Sequence, residues 1–197
     1  MTVHSETSSV RPRAVPVARR SRPTLLDVAV EVLVEDPTAS LAAVASAAGI
    51  GRTTLHKQYA TREDLVRAVA HRAVDRAEDA IARATEDPGD DGGLRALVSE
   101  LIPIGPHLSF LWRNPEFDHD HEIGVRWGGL DPSVLVIIRR AQDAGVLGTD
   151  VPDWWLVSMI YAVIYSAYET VAAGQLASRD APDLALRTFS HGFGARP

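Results

Sequence analysis

The chain has 197 residues, of which 46% are hydrophobic and 23% are charged, so its composition suits one or two folded domains and excludes a disordered protein. It contains no cysteine, which excludes disulfides, zinc–thiolate sites and cysteine nucleophiles, and which fits a reducing cytoplasm. The net charge of −6 is unevenly distributed: residues 1–72 hold ten Lys or Arg against seven Asp or Glu, whereas residues 73–197 hold ten against nineteen.

Residues 1–22 are predicted to form a flexible basic arm. Five arginines and a single glutamate lie there among serines and prolines, a composition typical of disordered segments. The arm is either a solvated tail or a segment that contacts DNA phosphates or the minor groove. The pair Arg19-Arg20 suggests a twin-arginine export signal, but Pro23 and Asp27 interrupt the apolar segment that should follow. We therefore expect a cytoplasmic protein.

Two short helices are predicted after the arm. Apolar residues recur at three- and four-residue spacing over 25–35 and again over 41–48, which is the period of an amphipathic helix. Ser40 is a suitable N-cap for the second helix. Gly49 can take the left-handed conformation that ends this helix and turns the chain sharply.

A third helix, predicted over 52–59, carries many hydrogen-bonding side chains. Leu55 and Tyr59, four residues apart, are expected to form its inward face. The outward side chains are Arg52, Thr53, Thr54, His56 and Lys57. The preceding Gly-x-Gly has two competing interpretations, a phosphate-binding loop and the turn of a helix-turn-helix. A dinucleotide loop needs a third glycine, where Thr54 stands, and a strand before it, so the sequence favours a helix-turn-helix whose second helix reads DNA.

The remaining sequence is also predicted to be helical. Thr61 caps a long helix that runs to about Thr85, and residues 87–93 form a linker or loop. Further helices are predicted over 94–101 with a kink at 102–107, over 134–144, over 154–168, and from about residue 180 onward. The stretch 154–168 is apolar on all sides, which predicts burial on several sides, and at about 15 residues it is too short to span a bilayer.

Residues 25–69 resemble the amino-terminal domain of the tetracycline-repressor (TetR) family of transcription regulators. The resemblance rests on LLDVAVEV at the start, AAVASAAGI before the turn, TTLHKQY in the third helix and TREDLV at the start of the fourth. It implies an all-α chain of about nine helices, in which a three-helix DNA-binding domain over 23–70 precedes a ligand-binding and dimerisation domain over 71–197. It also implies a homodimer, formed through the last two helices, that binds a pseudo-palindromic DNA operator as a repressor and is released by a small apolar or aromatic effector. No cofactor is expected.

The resemblance assigns roles to individual residues of the front domain. Ser40, Thr54 and Arg62 stand where family members contact DNA phosphates. The complete set of candidate DNA-contacting residues is Ser40, Arg52, Thr53, Thr54, His56, Lys57, Tyr59 and Arg62. Some positions depart from the family pattern, and His56 stands where a tyrosine is usual. The fold and the class therefore carry over, whereas the operator sequence does not.

Aromatic residues indicate where the effector would bind. Tyr59 is the only Phe, Trp or Tyr before position 110, whereas eleven lie between Phe110 and Phe193. A ring-rich rear domain with a proline-broken helix can enclose an apolar ligand. The predicted lining is Phe110, Trp112, Trp127 and Tyr161, with His107 as a polar contact. Each ring alone is more typical of a hydrophobic core, so the prediction rests on the cluster.

Enzymatic and metal-binding functions find little support in the sequence. The segment Asp118–Glu122 (DHDHE) holds possible metal ligands, but His119 and His121 would face different sides of a helix, and a solvated acidic loop is the simpler interpretation. Signatures of serine hydrolases, P-loop proteins and zinc proteases are absent. Two other functions stay open: a ligand-independent architectural DNA-binding protein, and a small-molecule carrier whose helix-turn-helix is vestigial.

Overall fold

The computed structural model describes residues 24–194, which are helical apart from loops and one isolated bridge between Leu147 and Gly194. The basic arm predicted over 1–22 lies outside the described residues. The helices are α1 (Leu25–Glu35), α2 (Leu41–Ala47), α3 (Arg52–Gln58), α4 (Arg62–Glu86), α5 (Leu94–Leu101), α6 (Gly105–Arg113), α7 (Ile123–Gly128), α8 (Asp131–Asp143), α9 (Asp153–Ala172) and α10 (Ala181–Phe193), with 3-10 turns at Ile102–Ile104 and Pro115–His119. The all-α prediction is confirmed. The short helix α7, of six residues, brings the described count to ten where about nine were expected.

Side-chain caps fix the beginnings of the front helices. Thr24 and Asp27 form a capping box at α1, and Thr61 and Asp64 form another at α4. The Ser40 hydroxyl accepts a hydrogen bond from a backbone N–H in the first turn of α2. These bonds satisfy N–H groups that have no partner inside a helix. The predicted caps at Ser40 and Thr61 are confirmed.

A glycine turn joins α2 to α3. Gly49 has a φ of +66°, a left-handed conformation that costs glycine little. Ile50, which follows, is half-buried and packs against the front hydrophobic core. The α2–turn–α3 unit therefore has the predicted helix-turn-helix form.

Helix α4 is shared by two hydrophobic cores. Its buried residues from Leu65 to Val74 pack with α1, α2 and α3 in a front core, and those from Ala77 to Ala84 pack with α5, α8, α9 and α10 in a rear core. The helix has 25 residues and is about 37 Å long. Five fully buried alanines follow one another at three- and four-residue spacing: Ala70, Ala73, Ala77, Ala80 and Ala84. The domain boundary predicted at residue 70 falls within this unbroken helix, and the division into domains stays a prediction.

The proline-containing segment between α5 and α6 interrupts the α-helix as predicted. Pro103 and Pro106 have no N–H to donate, and the 3-10 turn Ile102–Ile104 replaces helix there. Helix α6 then packs against α1, α4 and α9. Its first residue, Gly105, lies so close to α9 that an added Cβ would come within 2.1 Å of the Tyr168 ring. This close approach places α6 between the front helices and α9.

Helix α9 is buried along one side within the chain. Its buried residues are Leu156, Val157, Ile160, Ile164 and Ala167. Trp154 and Trp155 are 67% and 42% exposed within one chain, so burial of this helix on several sides depends on the predicted homodimer and stays a prediction. The helix is longer than the about 15 residues expected: its 20 residues are long and apolar enough to cross a membrane by length and composition alone, a test that the core helix of a soluble protein also passes. Its inner side packs in the rear core with α8 and α10.

We expect Gly49→Ala to lower the free energy of unfolding by about 1–2 kcal/mol, since the left-handed conformation strains any residue that has a Cβ. The added methyl would meet no atom within 4 Å, so the backbone alone is responsible for the loss. Gly51→Ala is the control for backbone strain, because Gly51 has a φ of −68°, and at the N-cap of α3 alanine should cost only about 0.5 kcal/mol relative to glycine. Urea unfolding followed by circular dichroism measures both. Equal losses in the two variants would contradict the assigned role of Gly49.

Candidate nucleic-acid interface and aromatic cleft

Helix α3 presents a row of polar side chains to solvent. Leu55 is completely buried and fixes the helix to the front core. The side chains around it are exposed: Arg52, Thr53, Thr54, His56 and Lys57. The helix carries two permanent cations and no acidic residue. An exposed short helix with several donors, placed after a helix-turn-helix turn, has the size and chemistry to enter the major groove of DNA.

Helix α3 carries two of the four Lys or Arg residues in the described front part, and no acidic residue lies on it. Residues 24–70 hold four Lys or Arg against six Asp or Glu, and the acids lie on α1, just after it and in the first turn of α4. The basic excess of the front third therefore comes from residues 1–22, outside the described residues. Within residues 24–70, α3 is thus the helix on which basic residues have no acidic neighbours on the same helix.

Three further candidate DNA contacts also make bonds or contacts inside the chain. Ser40 is exposed, and its hydroxyl accepts a backbone N–H at 3.3 Å. Tyr59 is half-buried and packs on the front core. The Arg62 Nε donates to the Ala39 carbonyl at 3.1 Å, and its Nη2 donates to the Pro37 carbonyl. Arg62 therefore ties the start of α4 to the loop between α1 and α2, a role that sequence reasoning missed.

A buried polar junction, formed by Asp27, Arg72 and His107, joins three helices. The Asp27 carboxylate of α1 accepts hydrogen bonds from Arg72 Nε of α4 and from His107 Nε2 of α6, each at 3.2 Å. The His107 side chain is 7% exposed. Because an ionised carboxylate only accepts, the proton of the neutral ring lies on Nε2. The front helix α1 is thus fixed to the rear helix α6 at this point.

Burial and charge set the ionisation of this junction. Burial alone would raise the pKa of Asp27, but hydrogen bonds from the Thr24 backbone and from Arg72 hold that pKa well below its usual range. Burial lowers the pKa of His107 to about 4, although the Asp27 carboxylate acts in the opposite direction. At neutral pH the junction therefore pairs an ionised aspartate with a neutral histidine. Sequence reasoning assigned His107 to the effector pocket and missed both Asp27 and Arg72, whose pairing spans 45 residues.

An aromatic cleft lies between α6 and α9. The Trp112 ring contacts Trp127 and Tyr161 at centroid distances of 6.3 Å and Tyr165 at 5.2 Å, all edge-to-face. The cleft has a volume of about 330 Å³ and is lined by Trp112, Arg113, Ser158, Tyr161, Ala162 and Tyr165. The buried Tyr161 hydroxyl lies near Asp131, and burial together with that carboxylate raises its pKa. Three rings around one cleft suit a flat aromatic ligand.

The predicted effector lining is therefore assembled in part. The Trp112 ring contacts both Trp127 and Tyr161. Trp127 does not line the cleft itself. Phe110 points into the front core, where its ring lies 6.2 Å from Phe117. Residues two apart on a helix face different sides, so Phe110 and Trp112 could not share one pocket. His107 lies in the polar junction and does not line the cleft.

An apolar groove of about 310 Å³ runs between α9 and α10. Its apolar lining includes Met159, Val163, Leu176, Leu184, Phe189 and Phe193. Leu184 is 41% exposed, and on α9 an outer stripe runs through the exposed Trp155, the half-buried Met159 and the exposed Ala162. This groove and the stripe beside it leave apolar surface exposed to solvent within one chain.

The acidic segment 118–122 makes bonds within the chain. Asp120 accepts backbone N–H bonds from Glu122 and Ile123, each at 3.0 Å, and pairs with Arg67 of α4. Between residues 24 and 194, no three His, Asp or Glu side chains lie close enough together to hold a metal ion. The segment thus connects α7 to α4.

Known proteins share both the front segment and the fold of the whole chain. Residues 25–69 match the family model described as bacterial regulatory proteins, tetR family. The chain is 33% identical over 156 residues to the HTH-type transcriptional repressor LfrR of Mycolicibacterium smegmatis, covering 79% of this chain and 81% of LfrR. It is 24% identical over 163 residues to the HTH-type transcriptional regulator NfxB of Pseudomonas aeruginosa, covering 81% of this chain and 87% of NfxB. The crystal structure of LfrR from Mycobacterium smegmatis in complex with proflavine matches with a TM-score of 0.71 and 30% identity, covering 87% of this chain and 95% of that chain.

We expect the polar junction to make stability depend on pH between about 6.5 and 4. The pKa of His107 is about 4 in the folded chain and 6.5 when unperturbed, so in this range the unfolded chain binds a proton that the folded chain does not. The free energy of unfolding therefore falls as the pH drops, by at most about 3 kcal/mol. Asp27, whose folded pKa is depressed, supplies stability that is lost only below about pH 4.

His107→Gln isolates this contribution, because glutamine can donate to Asp27 and does not titrate. Its urea midpoint should change less than that of the wild type between pH 7 and pH 4.5. His191→Gln removes an exposed histidine and serves as the matched control. The same pH slope in His107→Gln and the wild type would contradict the prediction.

Proposed function

Because the chain belongs to the TetR family of bacterial transcriptional regulators, we propose that it is a cytoplasmic repressor that binds a pseudo-palindromic operator as a homodimer. A small aromatic effector releases it from the operator. As a member of this family, the chain is a DNA-binding regulator and not an enzyme. The observation that carries the proposal is the exposed, donor-rich face of α3, held in place by the buried Leu55.

The chemistry of α3 supports base reading in the major groove. Arg52 and Lys57 can each donate to the O6 and N7 acceptors of guanine, whereas Thr53, Thr54 and His56 can bond either bases or phosphates. A homodimer presents two copies of α3 to two half-sites about 34–36 Å apart, one turn of the duplex. An effector that changes this spacing weakens binding by both copies at once.

The α9–α10 surface supports the homodimer. Its groove and its uncovered α9 stripe place apolar side chains on two adjacent helices, as a self-complementary two-fold interface requires. Two such helices from each copy form a four-helix bundle. Burial against a second copy would remove from water the apolar surface that one chain leaves exposed.

The aromatic cleft supports an effector of the same chemical class as the ligand in the LfrR structure. LfrR has been crystallised with proflavine, a planar aromatic compound. The cleft of this chain offers Trp112, Tyr161 and Tyr165 as ring surfaces. Proflavine is therefore the first probe for this site.

Footprinting on the DNA upstream of the chain's own gene, followed by titration with proflavine, tests the function. The proposal predicts a protected pseudo-palindrome that is lost as proflavine is added. Specific protection that no aromatic compound disturbs would indicate an architectural DNA-binding protein instead. Ligand binding without any sequence-specific protection would indicate a carrier.

We expect Arg52→Ala to weaken operator binding by about 1–3 kcal/mol and to relax the preference at one base pair in each half-site, since it removes a donor to a base edge. Arg139→Ala is the control, because Arg139 is exposed on α8 and pairs with Asp153, far along the chain from α3. Fluorescence anisotropy at one fixed salt concentration measures both variants. Unchanged operator affinity in Arg52→Ala would rule out this residue as a base reader.

We expect Leu184→Arg to produce a monomer, because it places a charge in the apolar α9–α10 surface. Val125→Arg is the control, since Val125 is 69% exposed on α7, outside that surface. Analytical ultracentrifugation reports the mass of each variant. A dimer that persists in Leu184→Arg would place the interface elsewhere.

A further inference from the structure

Arg113, at the end of α6, contacts three parts of the molecule. Its side chain lines the aromatic cleft. Its Nη2 donates to Glu169 Oε1 of α9 at 2.8 Å, and its Nη1 donates to the Val34 carbonyl of α1 at 3.2 Å. Among the described side chains that line the cleft, Arg113 is the one that bonds the front helix α1. A change in the cleft can therefore reach the DNA-binding part through this side chain.

The hydrogen bond from Arg113 to the Val34 carbonyl stabilises the C-terminal end of α1. The last four carbonyls of a helix lack partners inside it, and cations stabilise this negative end. Helix α1 has no basic residue in its last turn, so Arg113 supplies the cation from another helix. The Arg113 side chain is 40% exposed and Glu169 is 37% exposed. Both bonds can thus be exchanged for bonds to water or to a ligand without leaving a buried charge.

Helix α6 holds α1 at two points of different character. The first is the buried polar junction, where His107 bonds Asp27, and the second is the exposed contact of Arg113 with Val34. Asp27 and Val34 lie about 10 Å apart along α1, and His107 and Arg113 lie about 9 Å apart along α6, so the two contacts are in register. The buried contact between His107 and Asp27 is suited to act as a pivot. The exposed contact between Arg113 and Val34 can break and re-form.

We propose that Arg113 couples the aromatic cleft to the DNA-binding part. An aromatic ligand that enters the cleft occupies the space beside Trp112 and Tyr165, and Arg113 then leaves the Val34 carbonyl. The end of α1 is released and turns about the Asp27–His107 contact, and α2 and α3 move with it. The bond between Arg113 and Val34 is made in only one of the two arrangements, so it contributes directly to the coupling between effector and operator. This inference rests on the proposed function, because it takes the cleft as the effector site.

Arg113→Met tests the coupling, since methionine keeps an unbranched apolar side chain and removes both hydrogen bonds. The readout is the factor by which operator DNA changes the Kd of proflavine, measured by quenching of tryptophan fluorescence. In the wild type we expect a factor of about 5–150. In Arg113→Met the factor should fall below about two, whereas the proflavine affinity without DNA should change only severalfold. Arg113→Lys, which can bond one acceptor at a time, should keep an intermediate factor.

Arg139→Met is the matched control, because it removes an exposed ion pair between α8 and α9 that does not touch α1. It should keep the wild-type coupling factor. A wild-type factor in Arg113→Met would overturn the inference and leave the proposed function intact. Stoichiometric titration with operator verifies that each variant is fully active.

The operator affinity of Arg113→Met tests the role of Arg113 without a ligand. Loss of a bond made in one arrangement shifts the balance between the two, so Arg113→Met alone should change operator affinity at least about threefold, with Arg139→Met unchanged. Unchanged affinity would overturn the role of Arg113. If proflavine does not change operator binding by the wild type, the proposed effector class is contradicted. The operator affinity of Arg113→Met would still test the role of Arg113.

Discussion

The close packing of alanines along α4 is the constraint on which the rest of the structure depends. Because these side chains end at Cβ, α1, α5, α6 and α8 can all approach one unbroken helix and share it. A larger side chain on this face would push neighbours apart in the front core or the rear core. The start of α4 is in turn bonded through Arg62 to the loop that precedes α2. The start of α4 and the loop before α2 are therefore held together at this point.

Signals that act over a few residues could be predicted from the sequence, and contacts between distant helices could not. The Ser40 and Thr61 caps and the Gly49 turn depend on local backbone geometry, so the sequence identifies them correctly. The bond between Asp27 and His107 joins residues 80 positions apart and exists only because α1 and α6 pack side by side. No local pattern encodes that packing. For the same reason the rings of the candidate cleft can be named from the sequence, whereas the position of Phe110 in the front core cannot.

Helix α9 illustrates a second limit of sequence patterns. Its apolar residues indicate how much of its surface must leave water, but they do not say which molecule covers that surface. Within one chain, Leu156 and Ile160 are buried whereas Trp155 is 42% exposed. The apolar residues of α9 suggest a fully buried helix, but they form two separate stripes on its surface. One stripe faces the core of its own chain, and the proposed homodimer covers the other.

Helix α3 is attached to the core through the buried Leu55, whereas its exposed side chains take no part in that attachment. The five exposed side chains beside Leu55 fill no space in the core, so replacing them opens no cavity. Changes there cost little stability, typically within about 0.5 kcal/mol. Over evolution, the outward chemistry of α3 is therefore free to diverge while the scaffold is retained, and relatives with the same fold can acquire different binding preferences through a few substitutions on one short helix.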